Sequence, residues 1–469
     1  LTYEDVTNVD SVGVVTARGL SIFGNTTGLN VASGISTFQA ITGTTGTFSA
    51  DSEFNGVSVG RGANSVANNT AVGNGALDAA VTGTNNVAVG KGALTENTGG
   101  HSGVAVGYQA LEQNTTGDYN TGLGNQALDE NTTGQRNTAT GSDALGGNTT
   151  GSDNTAVGFA ALDANTTASN NTAVGRDALG ANTTGTQNTA LGKDAGKAIT
   201  TNSGCTMIGA TAGQANTAAN NTALGSGALY ANTTGTQNTA LGTGIYGSTQ
   251  GALGANTTGD HNTAVGCRSL VSNTTGNQNT SVGDRSLSTN TTADNNTAVG
   301  FKALEANTTG TQNVAVGALA LDANTTANNN TALGFEALTA NTTGSNNTAL
   351  GSQALEANTD GNNNTAVGFL ALFANTSGAT NVAVGENCAV SNTTGTDNTI
   401  VGSYAFYANT TGSDNCAFGA HALDANTTGA ENVAIGRHAL TDNTTGASNV
   451  AVGHQALDDN TSGSGNVAI

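Results

Sequence analysis

Five carboxylates, Asp163, Glu305, Asp322, Glu356 and Asp424, recur at one position of a repeating unit, directly after an Ala-Leu pair. Two acids at short separation cleave glycosidic bonds, one protonating the leaving group and the other acting as base or nucleophile. A column of acids in a polar chain also forms a solvated stripe that discourages edge-to-edge aggregation, and the varying residue type here favours that reading. His421 and His438 hold equivalent positions in consecutive units, so their rings are expected to stack. A metal there would need ligands from other chains, and His454 lies one column away. Asp118, Asp153, Asp260, Asp397 and Asp414 sit in the turn after Thr-Thr-Gly, where calcium could bridge neighbouring turns. The glycine-aspartate nonapeptide of calcium-binding rolls is missing, so no metal or cofactor is expected, calcium being the one ion worth weighing.

A second set of residues suits binding better than catalysis. Tyr108, Phe159, Phe301, Phe335 and Phe369 all follow a recurring glycine directly. The same position carries Lys91, Arg176, Lys193 and Arg437 in other units, so these rings are expected at the surface, where they could stack on sugars. Packing against adjacent turns is the alternative. Tyr246 lies in an insertion, GIYGSTQ, that should loop out as a further contact. Asn-Thr-Thr tetrads create sequons at Asn114, Asn165, Asn307 and Asn426, but a turn-forming asparagine column already accounts for them. No Ser/His/Asp constellation, phosphate-cradling loop or HExxH motif occurs. The expectation is a protein without enzymatic activity.

Composition narrows the partners. The 469 residues carry a formal charge of −21, only 9% charged and 4% aromatic residues, 68 Gly and no Pro or Trp. An acidic surface repels phosphate backbones and anionic lipid, so neither nucleic acid nor membrane insertion is expected. No run of 18 apolar residues exists to span a bilayer. Cys205, Cys267, Cys388 and Cys416 are far apart, without disulfide-framework or zinc spacing. Pro, Lys and Glu are too scarce for disorder, and the glycines lack the period of collagen.

What positions these residues is repetition. A glycine ends the run Asn-Thr-Ala-Val/Leu-Gly at Gly73, Gly90, Gly107, Gly158, Gly300, Gly453 and the equivalent positions between. The steps are 17 residues except from Gly209 to Gly225 (16) and from Gly242 to Gly266 (24), and with Gly60 the landmarks number 24. The unit N-T-A-V-G-x-x-A-L-x-A-N-T-T-G-x-x breaks any helical stripe. It predicts an all-β parallel solenoid with Thr-Ala-Val as one strand, Ala-Leu as a second, glycine at a turn needing positive φ or close approach, and Asn-Thr-Thr-Gly as the return turn. Proline would remove a ladder donor, and asparagine columns can bond along the axis. At about 4.8 Å per coil the stack would extend on the order of 115 Å. Because alternation leaves apolar residues on both strand faces, Val and Leu are expected inside the coil, with the Ala face packed on neighbouring chains of a homotrimer.

Within this frame residues 1–56 form a β-rich neck or junction and 57–469 the shaft, with irregularities near 195–220 and 243–250. The motif breaks off at Asn466-Val467-Ala468-Ile469, so a continuation beyond Ile469 is expected.

NTAVGxxAL and NVAVGxxAL resemble the S-V-A-I-G-x-x-A signature of trimeric autotransporter adhesin heads, which implies a left-handed β-roll of three chains. The longer unit, and LTYEDVTNVDSVGVVTARGLSIFG at residues 1–24, resemble tail-fibre proteins of marine and cyanobacterial phages. These resemblances imply the trimeric shaft of a virion tail fibre, partnered by other virion or fibre proteins and by a host surface glycan or protein. A bacterial surface adhesin or extracellular filament is the alternative reading, and a polysaccharide depolymerase spike a third.

Overall fold

The computed structural model describes residues 52–54, 56–244 and 251–469. Most of the 1–56 neck, and Tyr246 with its insertion loop, lie outside the described residues.

Strand β1 (Ser52–Phe54) pairs antiparallel with β2 (Val57–Gly60), which pairs antiparallel with β3 (Thr70–Val72). From β3 onward every neighbour pairing is parallel, through short strands ending at Val467–Ala468. Gly60 therefore belongs to the antiparallel lead-in, and regular stacking begins at Thr70. Threonine stands beside threonine and alanine beside alanine, as in Thr331↔Thr348 and Ala332↔Ala349. This register survives the 16-residue step (Thr206↔Thr222) and the 24-residue step (Thr239↔Thr263), so both length changes are absorbed outside the strands.

Each coil holds one three-residue strand, not two strands of five. The Ala-Leu segment is a run of turns in which the residue before Ala and the Leu itself adopt positive φ, for example Gln126 (53°) and Leu128 (58°). A left-handed leucine costs roughly 1–2 kcal/mol. Turning the side chain into the coil, where Leu128 and Leu304 are completely buried, returns roughly 1.5–3 kcal/mol. Burial wins. The turns still bond along the stack, Leu128 N–H to the Ala144 carbonyl at 3.0 Å and Gln126 N–H to the Tyr108 carbonyl at 2.9 Å.

The faces of the strand are the reverse of the sequence expectation. The central Ala points inward and is buried in coil after coil (Ala298, Ala315, Ala332), whereas the flanking Thr and Val or Leu point outward. The interior is narrow because Leu fills it from the opposite wall, leaving room only for a methyl on the strand side. Two fully buried asparagine columns complete it. In one, Asn307 Nδ2 donates to Asn290 Oδ1 of the preceding coil and to its own turn carbonyl at Gly310. In the other, Asn296 Oδ1 accepts Asn313 N–H, and Asn313 Nδ2 donates to the Ala327 carbonyl. Threonine hydroxyls add a third ladder, Thr308 Oγ1 donating to the Thr325 carbonyl at 3.0 Å.

The stretch near 195–220 is a compensated exchange. Gly196 and Gly213 stand where leucine is usual, and Met207 replaces a strand-centre Ala and fills the space. A Cβ on Gly213 would lie 2.3 Å from Met207 Sδ. Ile199 takes an asparagine position, so Asn182 Oδ1 is buried without a partner.

Candidate functional surface

Geometry starts at the landmark glycines. Gly73, Gly90, Gly107, Gly158, Gly300 and Gly453 have φ between +131° and +144°, a region closed to other residues. A Cβ at Gly300 would also sit 2.4 Å from the Gly317 carbonyl oxygen. The chain turns sharply there and throws the next residue outward. That residue is the ring column: Tyr108, Phe159, Phe301, Phe335 and Phe369 are 47 to 54% exposed. Lys91 Nζ lies 5.9 Å from the Tyr108 ring centroid and Lys302 Nζ 5.7 Å from that of Phe301.

Of the five acids only Glu305 and Asp322 stand in consecutive coils, where the charge of Glu305 acts on Asp322. Glu305 pairs with Lys302 at 3.0 Å, and Asp424 meets His421 Nδ1 at 3.0 Å. Asp163, Asp322 and Glu356 are half-buried, and burial, followed by neighbouring carboxylates, pushes their pKa values up. Asp129 in the same column is pushed up to about 6, chiefly by burial and then by Glu130.

The turn aspartates cap their neighbours. Asp118 Oδ1 accepts His101 N–H at 2.8 Å, Asp260 Oδ1 accepts Thr236 N–H at 2.6 Å, and Asp153 forms a two-point pair with Arg136. Asp397 and Asp414 occupy left-handed turn positions with φ of 57° and 61°. No group of three or more metal-ligating side chains occurs among the described residues. The sequon residues Asn114, Asn165, Asn307 and Asn426 are buried, with their amide nitrogens donating inside the asparagine column. Cys205 and Cys388 are buried, Cys267 and Cys416 partly so, and all four are free thiols. Burial pushes Cys388 up to about 12, which makes it a poor nucleophile.

His421 and His438 stack at 5.0 Å with ring planes 9° apart. The stack continues to Tyr404 at 5.4 Å from His421, and His454 meets His438 edge-on at 6.4 Å. Burial, Arg437 and the adjacent imidazoles hold His438 below the ordinary histidine range.

One surface escaped sequence reasoning. The outward residue before each landmark glycine leaves an apolar column along the sheet, with Leu333 44% and Leu350 42% exposed and Phe418 and Ile435 similarly so. Its signal was present as Val, Leu, Ile or Phe at that position in every unit but the one with Thr140, but alternation does not say which face is inside. No helix among the described residues is long and apolar enough to cross a membrane. No protein-family model and no curated protein matches the chain.

Proposed function

We propose that the chain is the non-enzymatic shaft of a homotrimeric fibre, wound as a left-handed roll, and that the fibre is a phage tail fibre carrying host attachment at the virion surface. The observation that supports this is the exposed Val/Leu column beside an in-register parallel ladder that runs from Thr70 to Ala468. A single coil has nothing with which to cover it. Burying the exposed half of one such leucine returns about 1 kcal/mol. Summed over more than a dozen coils this is of the size of the roughly 4–15 kcal/mol that association costs. Packing between copies thus uses the Thr/Val/Leu face, the alanines being committed to the interior. The acids and histidines support a structural role through their engagement with neighbouring turns, cations and rings.

Sedimentation equilibrium tests the assembly. Three chain masses are expected for the native sequence, and Leu333→Glu combined with Leu350→Glu should weaken the trimer by placing charges in the buried column. A monomer at micromolar concentration would sink the proposal.

A further inference from the structure

Phe301, Phe335 and Phe369 occupy the ring column two coils apart, with Ala318 and Ser352 in the coils between. At about 4.8 Å per coil the rings repeat every ~10 Å. The short intervening side chains leave a slot between successive rings, and each ring is half-exposed. Nothing in the coil requires an aromatic here, since Lys91, Ser142, Arg176 and Lys193 serve at the same position elsewhere. Hydrogen-bonding groups flank the row: Lys302 pairs with Glu305, and Gln353 Nε2 donates to Glu336 Oε2 at 3.2 Å. Tyr108 and Phe159 are three coils apart and fall outside this rhythm.

We infer that the three rings form a track for an extended, neutral β-1,4-linked hexopyranose chain. In a two-fold sugar ribbon every second residue presents the same face, and its disaccharide repeat is of the same length as two coils. Each phenyl ring then stacks on the C–H face of alternate sugars, while the flanking amide, ammonium and carboxylate groups meet equatorial hydroxyls. A protein of charge −21 disfavours an acidic polysaccharide, so the track takes an uncharged one. The inference rests on the attachment role proposed above for its setting, but the track lies within one chain and does not need the trimer.

The test is calorimetric titration of the full chain with cello- and chito-oligosaccharides, with maltohexaose as the curved α-linked control. Affinity should rise with length to about five sugars, the span of three rings, and then level off. Phe335→Ala should weaken binding by about tenfold or more, and Phe335→Tyr should retain it, with melting unchanged in both because the ring is exposed. Absence of binding to both β-linked series, equal binding by maltohexaose, or equal binding by a Phe301→Ala/Phe335→Ala/Phe369→Ala variant would each overturn the track. So would an altered sedimentation mass in that variant, which would assign the rings to packing between chains. Ring-dependent binding by a monomeric protein would uphold the track while removing the trimer.

Discussion

Asn307 shows what one residue contributes to this stack. Its amide donates to Asn290 Oδ1 at 3.0 Å and to the Gly310 carbonyl at 2.9 Å, and its carbonyl accepts from Asn324 Nδ2 at 2.9 Å. Alanine would orphan Asn290 Oδ1, at about 1–3 kcal/mol, take one of two partners from the Gly310 carbonyl and Asn324 Nδ2, and leave a small void. Asn307→Ala is therefore expected to destabilise by on the order of 3 kcal/mol, read as a lower urea midpoint. A surface change such as Thr309→Ala should be nearly silent. Charge supplies the second prediction at this scale. Asp129, with a pKa pushed up to about 6 against an ordinary value of 3.8, binds its proton more tightly folded than unfolded. Stability is then lowest above pH 6 and rises as pH falls from about 6 toward 4. Asp163, Asp322 and Glu356 are shifted the same way, whereas Asp153, held low by its bond to Arg136, stays charged across that window. Thermal melts should move up by a few degrees between pH 7.5 and 5. Asp129→Asn should raise the pH 7.5 value and flatten the trend.

At the scale of the element, the 17-residue period, the Thr-Ala-Val strand, the glycine turn and the asparagine column were all readable, because each rests on a residue type with few alternatives. The second strand was not. Leucine seldom enters the left-handed region, so Ala-Leu reads as extended, and only the burial of Leu128 and its equivalents reveals why the penalty is accepted. The inward face was also misassigned, since alternation defines two faces without saying which one the coil encloses. Nor does a single sequence show compensation across coils. Ile400 replaces a strand-centre Ala where Ala389 replaces Leu, keeping volume nearly constant in the manner of Met207 with Gly196 and Gly213. Ser269, Ser281 and Ser286 replace three interior alanines together. Their hydroxyls satisfy one another, at 2.7 Å between the first two and 2.5 Å between the last two. Of the candidate surface, the ring column was legible from its tolerance of Lys and Arg. The apolar column beside it was hidden by the same face assignment.

For the whole molecule, stacking makes stability a chain of nearest-neighbour terms, so the weakest junction opens first. That junction lies at Asn182 and Ile199, where the amide column is interrupted and one carbonyl is orphaned. In native-state hydrogen exchange, the Gly196 amide, bonded to Ala212, should exchange at least about tenfold faster than the Leu304 amide, bonded to Ala320. Equal rates would refute a weak point there. The column on either side of that break has a further property. Between Asn97 and Asn182, and again between Asn216 and Asn460, Nδ2 of each following asparagine donates to Oδ1 of the one before it. Amide dipoles aligned head to tail reinforce one another, so each unbroken run of this column carries a dipole along the stack. Copies lying side by side in the same direction would add these moments and opposed copies would cancel them, which makes an assembly of parallel chains a permanent dipole that an applied field can orient.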